Sequence, residues 1–417
     1  MISVKADIVV IGGGPAGLAA ALKARQLGAE KVILIERDTE LGGILQQCIH
    51  DGFGIHRFGK RLSGTEYAQE FIDQTERSDI EIKLDTIVLD VTPDRMIYAC
   101  NSLEGMFEIQ AGAIILAMGC RERTASQVLI YGDRPTGVLT AGAVQRYINM
   151  EGYLPGSRAV ILGSGDIGLI MARRMTLEGI SVLGVYEAMD KPGGLTRNLV
   201  QCLDDFDIPL HLATTVTKVH GHERVEAVTI AKLDKNRKPI LETQERIECD
   251  LLVLAVGLIP ENELSRNAGI EIDPATKGPV LDNTFMTSVP GIFAAGNVAV
   301  VFDLVDYVSL SGEIAAQGAM DFLNGKIDCD EPYQKVETGE NVSFIVPQRV
   351  RPSANKTTFF MRVKSSEKTA LLECTADGES VLEKRCRYIA PPEMLTFDLS
   401  CCGSKPLEVS MKKEEKL

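Results

Sequence analysis

The 417-residue chain has little of what marks several large protein classes. No uninterrupted apolar stretch reaches the roughly 18 residues a membrane span needs, so no integral membrane segment is expected. Basic residues are outnumbered: 44 Lys and Arg stand against 58 Asp and Glu, a formal net charge of −14. That balance argues against nucleic acid or an anionic membrane as the main partner, because both carry dense negative charge. The opening residues, MISVKADIVVIGGG, hold no basic leader with a cleavage site. This predicts no secretory signal and a cytoplasmic location. In that reducing setting the ten scattered cysteines are expected to be free thiols. Histidine is scarce, with all five between residues 50 and 222, and Cys48 is the only cysteine in the first 99 residues. What remains, 45% hydrophobic and 24% charged residues, is a globular composition. The length predicts two or three domains.

An internal repeat is the most informative feature. ADIVVIGGGPAGLAAALKARQLGAEKVILIE, from residue 6, is echoed by SRAVILGSGDIGLIMARRMTLEGISVLGVYE, from residue 157. A shift of 151 positions carries Gly12, Gly14 and Gly17 onto Gly163, Gly165 and Gly168. The same shift carries Glu36 onto Glu187 and Gly42-Gly43 onto Gly193-Gly194. Each copy predicts a strand, a tight turn, a helix and a second strand. The first glycine permits the turn, the second lets backbone approach a pyrophosphate, and the third lets helix and strand pack closely. The helix N-terminus then offers N–H groups to the phosphates. Glu36 and Glu187 each lie 19 residues past the third glycine, where a carboxylate accepts from ribose hydroxyls. Candidate contacts in the first copy are Gly12, Gly14, Pro15, Ala16, Gly17, Glu36, Arg37 and Gly43. In the second they are Gly163, Gly165, Asp166, Ile167, Gly168 and Glu187. Glu187 repels a 2′-phosphate, and Ala188 and Met189 supply no arginine to hold one, so NAD(H) is favoured over NADP.

On these motifs, over about residues 6 to 325, the chain resembles the two-dinucleotide flavoproteins that include the pyridine nucleotide-disulfide oxidoreductases. The resemblance implies an α/β fold of two Rossmann-like dinucleotide-binding domains, FAD on the first repeat and NAD on the second, inserted one. AIILAMGC (113–120), with Ala117 and Gly119, and LLVLAVGLIP (251–260), with Gly257, resemble the returns closing each nucleotide domain. TSVPGIFAAGNVA (287–299) resembles the second FAD motif, with Gly296 and with Asn297 where an acid normally binds the ribityl chain. An amide oxygen can still accept there. The expected FAD domain is 1–122 with 263–328, the NAD domain 123–262, entered through EGYLPGSR. LSGEIAAQGAMDFLNGK (310–326) reads as a helix, and 329–417 as a small β-rich domain ending in a frayed, charge-rich MKKEEKL.

The stretch LGGILQQCIHDGFG (41–54) decides the chemistry. The family's redox disulfide would place cysteines at 45 and 50, where Leu45 and His50 stand, and no histidine base follows residue 222. The dithiol mechanism is therefore excluded. Cys48 is left as a lone reactive thiol cycling through sulfenic acid or as a small core residue, and His50 as a proton donor or a satisfied histidine. The vicinal pair Cys401-Cys402 resembles the metal-delivering pair of mercuric reductases, without their second pair. No metal site is expected. Together with AMGCRER, PGGLTRNLVQCLDDF and FDLVDYVS, the stretch is similar to the FAD/NAD-binding subunits of opine oxidase, hydrogen cyanide synthase and multi-subunit glycerol-3-phosphate dehydrogenase, the last nearest. This implies hydride transfer between NAD(H) and FAD beside a second flavoprotein that oxidises the substrate. The alternatives are an electron-relay scaffold with a vestigial NAD site, a single-cysteine NADH oxidase or peroxidase, and a metal or disulfide reductase working through Cys401 and Cys402.

Overall fold

The computed structural model describes residues 2–400 and 405–413. The chain divides into two compact units, Met1–Cys120 with Pro260–Leu417, and Arg121–Ile259.

The first unit is built on a seven-stranded sheet among the described residues. Its centre is β1 (Ile2–Ile11), parallel on one side to β2 (Val32–Ile35) and on the other to the strand Gly105–Leu116. β2 is a run of four buried residues, VILI, as a strand covered on both faces must be. Between the two strands runs α1 (Pro15–Gln26). Proline opens it where no N–H is needed, alanines fill its body, and Lys23 and Arg25 in the last turn face the negative end of its dipole. A long helix packs against α1, Val305–Leu323, with Gly312 set against the Ala16 carbonyl so that no side chain separates the two backbones. The sequence pattern predicts 310–326 for this helix. It starts earlier because Val308 and its neighbours are buried on the same face, and it ends before Gly325, with Asn324 as its C-cap.

The second unit repeats this plan. A five-stranded parallel sheet places β3 (Arg158–Leu162) between β4 (Ser181–Tyr186) and Leu251–Leu254. The helix α2 (Asp166–Leu177) begins at the matching turn, with Gly165 as its N-cap. In both units the order runs third strand, second strand, first strand, returning strand. A separate four-stranded sheet, from Tyr131–Gly132 to Glu245–Glu248, completes the unit.

Among the described residues, the region after 333 forms a five-stranded and a three-stranded sheet and is part of the first unit. Phe360 packs edge-on against Phe285 and Phe302, and the fully buried Arg351–Asp282 ion pair (2.9 Å) joins the same segments. The expectation of a frayed end is corrected for Met411 to Lys413. They finish the strand Leu407–Lys413, because Leu407, Val409 and Met411 alternate inward, each about 1% exposed or less. The rest of that stretch, like Cys401 and Cys402, lies outside the described residues.

Candidate functional site

The first glycine turn follows β1 directly. Gly12 has a positive φ, and a Cβ there would strike the Ala117 carbonyl at the end of the returning strand; a Cβ on Gly17 would strike the Gly12 carbonyl. These two positions therefore need glycine to close the turn. At Gly14 an added Cβ would meet nothing within 4 Å, so the turn is open on the side a ligand approaches. Gly14 is also the N-cap of α1, without a side-chain cap among the described residues. The first intrahelical bond is Leu18 N to Gly14 O at 2.9 Å, which leaves the first-turn N–H groups facing that opening. Glu36 sits at the end of β2, its Oε2 accepting from Gly13 N at 2.6 Å and its Oε1 from Asp38 N at 2.9 Å. A carboxylate so held keeps further lone pairs for ribose hydroxyls. Gly43 folds back until its Cβ position is 3.1 Å from Gly14 Cα, and Gly296 packs on Ala16. Arg37 is exposed, and Gly119 turns the chain after the returning strand, its carbonyl accepting from Glu261 N at 3.0 Å.

Asn297, expected against the ribityl chain, has two contacts within the protein. Its Oδ1 accepts from Phe302 N at 3.0 Å and its Nδ2 reaches Cys120 Sγ at 3.6 Å, so one amide lone pair remains for a ligand.

The second turn has the same skeleton. Gly163 lies under the Ala255 carbonyl, Gly168 under Gly163, and Gly165 is open, with nothing within 4 Å of an added Cβ. Glu187 accepts from Ser164 N at 2.9 Å, from Ser164 Oγ at 2.7 Å and from Met189 N at 2.9 Å. Asp166, expected against the nucleotide, spends Oδ1 on its own chain: Leu195 N at 2.9 Å and Asn198 Nδ2 at 2.6 Å. Those two donors hold the Asp166 side chain against the 195–198 segment. Ile167 is half-buried and packs into the unit's core, and a Cβ added to Gly257 would lie 3.9 Å from the Arg123 side chain. Each turn thus has features that suit a dinucleotide: an open middle glycine, a helix N-terminus with no side-chain cap among the described residues, and a carboxylate held by backbone donors.

Cys48 caps the short 3-10 turn Gly43–Gln47 and donates its thiol to Ile44 O at 3.3 Å. Its own carbonyl accepts from Gly64 N at 2.8 Å, tying it to the helix Gly64–Glu76. Burial pushes the thiol up to about 12 from 9.0, the opposite of what a reactive thiolate needs. His50 lies by Phe53, ring centroids 5.0 Å apart, with Nδ1 3.4 Å from Asp51 O. Two residues went unread in the sequence. Ser164 stands where the first repeat has Gly13. Asp306, 9% exposed in the first turn of Val305–Leu323, accepts from His56 N at 3.1 Å and leaves Oδ1 without a partner among the described residues. The FDLVDYVS motif contained Asp306 but carried no signal of that burial.

The profile of the family described as pyridine nucleotide-disulphide oxidoreductase matches residues 6–318. The chain belongs to this family. FAD and a pyridine nucleotide are its cofactors, and the protein is an FAD-dependent NAD(P)H oxidoreductase. Among relatives, the HcnB component of hydrogen cyanide synthase from Pseudomonas protegens is 27% identical over 74% of this chain and 69% of its own length. One of the opine oxidase subunits from Agrobacterium tumefaciens is 24% identical over 75% of this chain and 65% of its own. The alpha subunit of sarcosine oxidase from a Corynebacterium is 26% identical over 93% of this chain but only 40% of its own. The chain therefore spans about two fifths to two thirds of these relatives. Among solved structures, T. acidophilum thioredoxin reductase superposes with a TM-score of 0.62 at 22% identity, over 78% of this chain and 99% of that one. That likeness is one of fold, and it agrees with the two dinucleotide-binding folds expected from the repeat. No described helix is long and apolar enough to cross a membrane, and no described cluster of side chains has the make-up of a metal site.

Proposed function

We propose that this protein passes a hydride between NAD(H) and bound FAD in the cytoplasm, as one subunit of a bacterial dehydrogenase complex. The observation that carries the reading is the pair of open glycine turns, each with a carboxylate fixed beside it by backbone donors. Gly12, Gly14, Ala16, Gly17, Glu36, Gly43, Ala117, Gly119 and Gly296 would hold FAD, with Asn297 contributing its remaining lone pair. Gly163, Gly165, Gly168 and Glu187 would hold the nicotinamide nucleotide, with NAD preferred because Glu187 is charged where NADP carries its phosphate. When bound, the flavin supplies the hydride acceptor, and the chain's own residues position the two nucleotides.

Three observations support a partner subunit. Three relatives are themselves named as subunits. The chain has no cysteine pair where the family's redox disulfide lies. Burial raises the Cys48 thiol to about 12, which weighs against the single-cysteine oxidase or peroxidase. The partner would be a second flavoprotein oxidising the organic substrate. The motif resemblance points to glycerol 3-phosphate for that substrate, and the relatives' names add opines and sarcosine. Anaerobic stopped-flow mixing of FAD-loaded protein with NADH tests the central step. Flavin bleaching that saturates with NADH is the expected result. No bleaching at millimolar NADH, alone and with the partner present, would overturn the reading and leave the relay scaffold.

A further inference from the structure

The two glycine turns differ at one position that alters how the acid beside them is held. Where the first repeat reads Gly12-Gly13-Gly14, the second reads Gly163-Ser164-Gly165. Ser164 is fully buried. Its Oγ accepts from Gly193 N at 2.8 Å and lies 2.7 Å from Glu187 Oε2. Because the Gly193 N–H occupies an acceptor site on the hydroxyl, the single Oγ–H is directed onto the carboxylate. Glu187 thus has three donors, two on Oε2 and one on Oε1. Glu36 has two, and its turn contributes only the Gly13 N–H. In the first repeat the equivalent loop contact is backbone to backbone, Gly42 N to Gly13 O at 2.9 Å, and does not reach the acid.

We infer that Ser164 is a positioning residue for nucleotide selectivity, linking the Gly193-Gly194 loop to the Glu187 carboxylate and holding that carboxylate against the 2′ position of the adenosine ribose. The inference rests on the proposed role of Glu187. A carboxylate free to turn about its side chain can swing away from a 2′-phosphate; one fixed by three donors cannot, so the phosphate meets its full charge. Fixing it also presents its remaining lone pairs to a 2′-hydroxyl without loss of side-chain freedom on binding. The loop contact supplies the direction. Without Gly193 N the hydroxyl could rotate to other acceptors.

The test is calorimetric titration of the FAD-loaded full chain with ADP-ribose and with 2′-phospho-ADP-ribose, for wild type, Ser164→Ala and Ser164→Gly. Ser164→Gly copies the residue the first repeat uses, so a folded variant is available if alanine is not tolerated. Wild type is expected to prefer ADP-ribose. Both variants are expected to lose about tenfold in ADP-ribose affinity, the scale of a hydrogen bond to a charged group. The phosphorylated ligand should lose much less, so that the selectivity ratio collapses. A purely structural role weakens both ligands by the same factor, and that result, or an unchanged ratio, overturns the inference. If wild type binds neither ligand, the nucleotide reading of the second turn falls, and this inference with it. A wild type that prefers ADP-ribose beside variants with an unmoved ratio sinks the inference alone.

Discussion

A thiol titrating near 12 is almost wholly protonated at neutral pH, with a thiolate fraction on the order of one part in 100,000. Cys48→Ser is therefore expected to leave oxygen- or peroxide-dependent NADH consumption within about twofold of wild type. A roughly tenfold loss in that assay would restore the single-thiol mechanism. The same burial has a consequence for alkaline stability. Folding raises the thiol from 9.0 to about 12, so the folded state keeps the proton more tightly. The stability this contributes is complete below about pH 9 and is lost as pH rises through about 12. Cys249, raised to about 11 mainly by burial, adds a similar loss in the second unit. Urea unfolding between about pH 8 and 11 should show a flatter alkaline decline in Cys48→Ala than in wild type; parallel curves would contradict this assignment.

The Gly/Pro-rich segment entering β3 is pinned by one side chain. Asp250 accepts from Ser157 N at 2.9 and 3.0 Å, from Ser157 Oγ at 2.7 Å and from Arg158 N at 2.8 Å. Gly156 lies so close that an added Cβ would be 2.9 Å from Asp250 Oδ1. Burial alone would raise this carboxyl, but the bonds from Arg158 and Ser157 outweigh it and hold it below its ordinary value of 3.8. Its stabilising contribution is thus present above that value and lost as pH falls below it. Asp250→Ala is expected to cost the second unit about 2 kcal/mol, the scale of charge-assisted bonds left unmade. Melting curves from about pH 3 to 7 check the sign. Asp250→Asn should remove part of the acid-side decline, and an unaltered decline would show that the carboxylate is not its source.

Two folded units with separate cores should respond separately to their ligands. Calorimetry is expected to resolve a transition raised by FAD and another raised by NAD, since each ligand stabilises the unit that binds it. The C-terminal sheets should melt with the FAD-responsive one. Arg351 and Asp282, 2% and 1% exposed, form a buried pair; Asp282 also accepts from Thr284 and Met286, and Arg351 donates to Tyr333 Oη at 2.7 Å. Arg351→Met strands a buried carboxylate, a loss of about 3–5 kcal/mol. It should lower the FAD-responsive transition and leave the NAD-responsive one in place. A shift of the NAD-responsive transition instead would show that the pair does not belong to the first unit's cooperative core.

The duplicated glycine turns, their acids and the α/β class were legible because these depend on residue type at short, fixed spacing: a glycine that admits no side chain, or an apolar run that must be a covered strand. The same local logic misread the end of the chain, where Lys412 and Lys413 looked like a solvated tail. Their strand exists because Leu407, Val409 and Met411 find a sheet to face, and that neighbour is remote in sequence. Asp166 and Asn297 show the limit more sharply, since no local pattern foretold that Leu195 and Asn198, or Cys120, would come to bond them. The burial that raises the Cys48 thiol was not legible in the stretch around it either, because part of its surroundings comes from the remote start of the helix Gly64–Glu76. By itself the sequence determined where the backbone turns on glycine and which acid stands beside each turn. The tertiary structure alone decided which polar atoms were already occupied, because hydrogen-bond partners and burial are properties of segments that meet only after folding.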